Sequence, residues 1–245
     1  MMFNVLGSGS KGNGYVLTAS NGSALVIEAG VKSIELKKLL AFDYTKVAGV
    51  LVTHSHGDHA KYIGDYTEKG INVYTGQETI DKLNIKSHRA HALQEKKAVM
   101  IGGFKVFPVP MKHDVPCLGF VINHPESGNI VFVTDSYFSP WKFSNISQWI
   151  VECNYSQEIM DGKDGYGATN SFVRNRVISS HLSLENCLEL FKANDMTKTI
   201  NIVLTHLSDT NSNEKQFKKA VENQTLKKVT VADTGLEINF NKNPF

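Results

Sequence analysis

Three histidines and an aspartate fall within six positions in Thr53-His54-Ser55-His56-Gly57-Asp58-His59. Imidazole nitrogens and a carboxylate suit zinc, and also manganese or iron, better than calcium or magnesium. Packing these groups together without a cation costs desolvation and repulsion. The cluster is too crowded for one ion. Alternation along an extended segment puts His54 and His56 on one side, while Asp58 and His59 can turn to the other. That predicts two adjacent metals with a water or hydroxide between them.

The elements that position this cluster begin with the apolar run Val47 to Val52, a buried strand whose exit turn carries all four side chains. Other polar residues stand at comparable places. His113 follows the strand Phe104 to Val109, Asp135 follows Ile130 to Thr134, and His206 follows Ile200 to Leu204. Side chains at the ends of different strands can converge, although polar residues there are also common caps and turn formers. Glu152 closes the strand from Trp149. His181 precedes Ser183, a suitable N-cap for a helix through Phe191. His88 and His91 could face one another on a helix, but with no third ligand nearby a solvated face is expected. His124 reads as a hairpin-tip residue without a role.

Elsewhere the patterns predict strands over Phe3 to Leu6, Tyr15 to Ala19, Ala24 to Glu28, Ile71 to Tyr74, Leu118 to Ile122, Val229 to Ala232 and Leu236 to Phe240. Helices are predicted over Lys32 to Leu40, His59 to about Lys69, Glu78 to Leu83, Ser171 to Ser179 and Glu214 to Asn223. The glycine-dense stretch 7–14 is either a phosphate-cradling loop or a hairpin turn, and residues 156–169 read as a mobile loop near the pocket.

With 245 residues, 41% of them hydrophobic, the chain can bury a sizeable core, and one domain over 1–245 is expected. The net charge of +2 excludes the basic stripe that long nucleic-acid contacts leave. No apolar run approaches the roughly 18 residues that a membrane span needs. The opening Met1-Met2-Phe3-Asn4-Val5 predicts no signal peptide. Cys117, Cys153 and Cys187 form no CxxC pair, and reduced thiols in a cytoplasmic protein are the simple account.

The H-x-H-x-D-H cluster resembles motif two of the metallo-β-lactamase superfamily, and His113 and Asp135 follow it in the order of motifs three and four. The resemblance covers essentially the whole chain. It implies an α+β four-layer αβ/βα sandwich with the site at one edge of two facing sheets. It also implies a ligand set for two divalent ions, zinc or manganese: His54, His56 and His113 for one, Asp58, His59 and His206 for the other, with Asp135 bridging. Asp58 would in addition orient the nucleophile. Glu152 and His181 stand where the tRNA-processing phosphodiesterases of the superfamily keep a Glu–His pair, suited to protonating an alkoxide leaving group. The S-H-L-S and L-T-H-L-S-D-T-N segments resemble the YycJ-type hydrolases and exonucleases, except that Ser180 replaces the glycine common before that histidine.

Between Asp135 and His206 there is no room for the large cap of the β-CASP nucleases, and no long basic arm is evident. The compact build also resembles the anti-Pycsar phosphodiesterases. That resemblance implies cyclic mononucleotides such as cCMP and cUMP as substrates, action against a host defence in host cytoplasm if phage-encoded, and a homodimer. A YycJ-like DNA exonuclease is the alternative, and a thioesterase or lactonase of the same fold a further one.

Overall fold

The computed structural model of the protein describes residues 1–162 and 171–243. Two seven-stranded sheets carry it. The first takes β1 (Met2–Gly7), β2 (Gly14–Thr18), β3 (Ala24–Ile27), β4 (Val47–Leu51), β5 (Val73–Gly76), β6 (Ala90–Leu93) and β14 (Glu237–Asn239), in the order β14-β1-β2-β3-β4-β5-β6. The second takes β7 (Val99–Ile101), β8 (Phe104–Met111), β9 (Cys117–His124), β10 (Gly128–Val133), β11 (Ile146–Glu152), β12 (Asn201–Thr205) and β13 (Lys228–Val231), in the order β13-β12-β11-β10-β9-β8-β7. β1 to β3 and β7 to β10 are antiparallel meanders, whereas β3 to β6 and β10 to β13 run parallel.

The inner faces meet in one apolar layer that includes Phe3, Tyr15, Leu25, Phe104, Phe120, Phe132 and Phe240, all essentially inaccessible. Burying each such ring contributes about 1.5–3 kcal/mol before entropy is charged against it. Outside the first sheet, α1 (Ser33–Leu39) and α3 (Ile63–Glu68) contribute Leu36, Ile63 and Tyr66 to a second cluster. Outside the second sheet, α7 (Leu184–Lys192) and α8 (Glu214–Thr225) contribute Leu190, Phe191, Phe217 and Val221 to a third. Helix, sheet, sheet and helix make the four-layer α+β sandwich. No described helix is long and apolar enough to cross a membrane.

Three sequence expectations change. The single helix from His59 to Lys69 is two, α2 (Gly57–Ala60) and α3. The Asp58 carbonyl, which would accept the next helical bond from Tyr62, instead accepts from the Asn13 N–H at 2.8 Å, and Tyr62 N–H turns to the Ala29 carbonyl at 2.9 Å. His88 and His91 share no helix: His91 lies in β6 opposite Tyr74 and stacks on its ring at 5.0 Å. The loop expected over 156–169 begins as α5 (Gln157–Asp161), because Ser156 caps Ile159 N–H; residues 163–170 of that stretch lie outside the described residues. The helix expected from Ser171 is α6 (Ser171–Ser180), and α4 spans Gln77–Lys82.

Candidate metal centre

Parallel strands from both sheets end at the same edge, and their exits carry the polar residues. β4 leads into Thr53 to His59, β8 into His113, β10 into Asp135 and β12 into His206, while Glu152 is the last residue of β11 and His181 follows α6. The fold thereby brings together all nine side chains singled out in the sequence. Three overlapping groups have ligand atoms within 4.8 Å of one another: His54, His56, His113 and Asp135; Asp58, His59, Asp135 and His206; and Asp135, Glu152, His181 and His206. Asp135 belongs to all three.

Two residues at this edge hold left-handed backbone conformations, Asp135 at φ 48° and His206 at φ 55°. A third, Glu28 at φ 71°, follows β3. Such conformations cost of order 1–3 kcal/mol each and persist where surroundings over-determine them. Here the surroundings are explicit: Asn154 Nδ2 donates to the His206 carbonyl at 2.7 Å, and His206 N–H donates to Ser8 Oγ at 3.0 Å.

Hydrogen bonds on the outer side of two rings, His113 and His54, assign their tautomers. The His113 Nδ1–H donates to the Ser180 carbonyl at 2.8 Å, leaving Nε2 to face inward, 3.1 Å from His56 Nδ1. A backbone carbonyl does this, so the contact does not depend on the side chain of Ser180, whose hydroxyl is buried without a hydrogen-bond partner among the described residues. Thr53 Oγ1 donates to Glu28 Oε1 at 2.6 Å and lies 2.9 Å from His54 Nδ1, which donates back to it. His54 Nε2 therefore carries a lone pair; it is buried, has no hydrogen-bond partner and lies 3.6 Å from Asp135 Oδ2. A buried, unpartnered acceptor aimed at a carboxylate is what a cation would satisfy. His206 Nδ1 lies 3.0 Å from Glu152 Oε1, and its Nε2 lies 3.1 Å from Asp58 Oδ2. His59 Nε2 is 3.1 Å from Asp58 Oδ2 and 3.3 Å from Asp135 Oδ2; its Nδ1 stands 3.2 Å from Glu28 Oε1 without hydrogen-bond alignment.

Electrostatics follow from this crowding. Burial, reinforced by His59, drives the His54 pKa well down, and burial lowers that of His113. Burial also opposes charge on His59, but Asp135 and Glu28 outweigh it and hold the ring protonated; the same contest, won by Asp135, Asp58 and Glu152, takes His206 up to about 10. Against burial, hydrogen bonds from His206 and His59 hold Asp58 far below the carboxylate range, and the charges of His59 and His206 do the same for Asp135. Protons thus neutralise a buried set of carboxylates, a task that divalent cations perform with neutral imidazoles. The donor set fits two such ions.

Glu152, fully buried, accepts from His181 Nδ1 at 2.7 Å and from Leu182 N–H at 3.0 Å. Burial raises the Glu152 carboxyl, but the His181 charge outweighs it and the net shift is downward; reciprocally Glu152 raises His181 against its burial. The His181 ring is one-fifth exposed and stacks on His206 at 5.3 Å.

Sequence reading missed a supporting layer. Glu28, Thr53, Asn13, Asn154 and Asp114 all touch the cluster: Asn13 Nδ2 lies 3.3 Å from Asp58 Oδ2, and Asp114 Oδ1 lies 3.1 Å from His113 Nε2. Glu28 had a signal, a carboxylate directly after the apolar strand Ala24–Ile27. Asn13 had none beyond its glycine neighbours. In stretch 7–14, which joins β1 to β2, Gly9, Gly12 and Asn13 spend their N–H groups on Asn13 Oδ1, the Gly9 carbonyl and the Asp58 carbonyl, which favours the hairpin turn over a phosphate cradle. A Cβ on Gly30 would overlap the Asp58 carbonyl oxygen, so glycine is required where β3 exits against the motif.

Two facing mixed sheets flanked by helices, with an imidazole–carboxylate cluster at one edge, define the metallo-β-lactamase fold. The chain belongs to the beta-lactamase superfamily: the model of the Beta-lactamase superfamily domain matches residues 35–207. It is 24% identical to the exodeoxyribonuclease WalJ of Streptococcus pneumoniae (strain D39), over 97% of this chain and 91% of that protein. It is 26% identical to the exodeoxyribonuclease YycJ of Bacillus anthracis, over 91% and 88%. The crystal structure of the metallo-beta-lactamase fold protein YhfI from Bacillus subtilis superposes with a TM-score of 0.71 at 21% identity, covering 97% of this chain and 98% of that one.

Proposed function

We propose that the chain is a single-domain, metal-dependent phosphodiesterase over residues 1–245 whose substrate is DNA. The observation that carries the reaction class is the Glu152–His181 pair standing directly against the candidate metal cluster. His54, His56 and His113 would hold one ion, Asp58, His59 and His206 the other, with Asp135 shared. When bound, divalent cations supply Lewis acidity, lowering the pKa of water and drawing charge from phosphoryl oxygens. Zinc or manganese suits this donor set.

The chain's own residues do the rest. Asp58 Oδ2 accepts a hydrogen bond from the attacking water and orients it. As attack forms the new P–O bond the water's proton passes to Asp58 Oδ2, the bond to the leaving oxygen breaks, and that oxygen takes a proton from His181. Glu152 orients the ring and stabilises its protonated form, and the stacked His206 limits its rotation. General-acid assistance of this kind contributes typically 10²–10⁴-fold.

DNA is favoured because two relatives that match over nearly the whole chain are exodeoxyribonucleases. The cyclic-mononucleotide reading, with its homodimer and its role against a host defence, rests on the sequence resemblance and the near-neutral charge. One panel separates them: zinc- or manganese-loaded protein with labelled single- and double-stranded DNA, 3′,5′-cyclic CMP, UMP, AMP and GMP, and bis(p-nitrophenyl) phosphate. Progressive shortening of DNA is expected. Opening of cyclic mononucleotides with DNA intact would replace DNA by the small substrate, and inertness towards every phosphodiester would overturn the reaction class.

A further inference from the structure

A groove of about 400 Å³ starts at Ser55 and Gly57, inside the H-x-H-x-D-H motif, and runs away from the cluster between α3 and the segment that follows α4. Its apolar lining comes from Ile63, Leu83 and Ile85, of which Leu83 is 39% exposed. Two exposed lysines, Lys61 and Lys86, flank it, and among the described residues no carboxylate lines it. Neither lysine is in an ion pair with any described residue, and the Lys61 ammonium lies 5.4 Å from the neighbouring Tyr62 ring. By contrast, the cavity on the Thr53 and Cys117 side of the same motif carries Glu78 and Glu95 and no cation. A polyanion leaving the site is repelled on that side and attracted on the Lys61–Lys86 side. The groove is also open: a Cβ added at Gly57 or Gly64 would meet nothing within 4 Å.

We propose that this groove is the track for the DNA strand, with Lys61 and Lys86 holding backbone phosphates while sugars and bases lie over Leu83 and Ile85. The inference rests on the DNA reading of the site above. It assigns strand binding to two lysines outside the metal cluster, on a chain whose net charge of +2 advertises no nucleic-acid surface.

Two variants test it. The pair Lys61→Ala/Lys86→Ala removes the cations. Gly64→Glu puts a carboxylate into open space on a helix that gains propensity by the change, so folding is preserved. Gly64→Ala is its neutral control. Anisotropy of a fluorescein-labelled oligothymidylate, with chelator present to keep the strand intact, reads affinity directly. Gly64→Glu and the lysine pair are each expected to weaken binding by about tenfold at low salt, whereas Gly64→Ala binds like the parent. At a slope near −0.7 per phosphate contact, the lysine pair should also lose about sevenfold less affinity than the parent between ~50 and ~200 mM salt. With metal loaded, the ratio of oligonucleotide to bis(p-nitrophenyl) phosphate turnover should fall in both. Parental affinity, salt slope and ratio in the variants would overturn the groove while leaving a DNA-cleaving enzyme in place. A parent that hydrolyses small diesters but neither binds nor cuts DNA would overturn both readings together.

Discussion

The cluster has two halves built in different ways. One half is the single loop His54 to His59, delivered by one strand and locked by backbone contacts: Asn13 N–H to the Asp58 carbonyl, Ala29 N–H to the His59 carbonyl, and Gly30 packed where no Cβ fits. The other half gathers His113, Asp135, Glu152, His181 and His206 from four strand ends and a helix terminus. The first depends on local backbone geometry. The second depends on the two sheets facing each other in the correct register, and it stores conformational strain at Asp135 and His206. A change in the loop should therefore act on single ligands of one ion or the other and on local folding. A change in the gathered half should act on several groups at once.

The largest effect is expected at Asp135, shared by all three groups. Asp135→Ala should cost on the order of a thousandfold in phosphodiester turnover. Elemental analysis should find both ions reduced; retention of a full complement would show that the halves do not meet at this carboxylate.

His181→Ala comes next. A drop of 10²–10⁴-fold with metal content unchanged is expected for a general acid. The drop should shrink for bis(p-nitrophenyl) phosphate, whose leaving group needs little protonation. Parallel loss of metal would make His181 a ligand within the group it shares with Asp135, Glu152 and His206.

Glu28→Gln probes the loop half through the residue behind His54 and His59. Metal affinity should fall about 10–100-fold, read by competition with a chromophoric chelator. An unchanged affinity would mean that the loop orients its imidazoles without this carboxylate.

Smaller still is Gly30→Ala, whose Cβ must displace the Asp58 carbonyl. Overpacking of this kind costs about 1–3 kcal/mol, visible as a lower thermal midpoint. The smallest effect is expected at a helix cap. Ser183→Ala removes the side chain that accepts from Asn186 N–H at the start of α7, a loss of about 1 kcal/mol that should leave turnover unchanged.

Legibility followed the same division. The loop half stood out because four ligand-type residues fall within one turn of chain, and the apolar run before it marked a strand. His113, Asp135 and His206 were each ambiguous alone, since a polar residue past a strand end is also an ordinary turn former; their order relative to the loop distinguished them. Glu28, Asn13 and Asn154 escaped notice because their partners lie 25 to 52 positions away. The break between α2 and α3 escaped for a similar reason. Tyr62 continues the helical pattern, and only the docking of Asn13 on the Asp58 carbonyl diverts the next hydrogen bond. The short strands β6 and β7 have too few residues for a period to declare itself.

By itself, then, the sequence determined the longer elements, the buried faces and the residue types of the cluster, because these depend on residue type at short spacing. Tertiary structure alone decided which histidine nitrogens face inward, which carboxylates stand behind them and which groove beside the motif is lined by cations rather than acids. Those properties are set by distances between strands and loops far apart in the chain, and no local pattern encodes such distances.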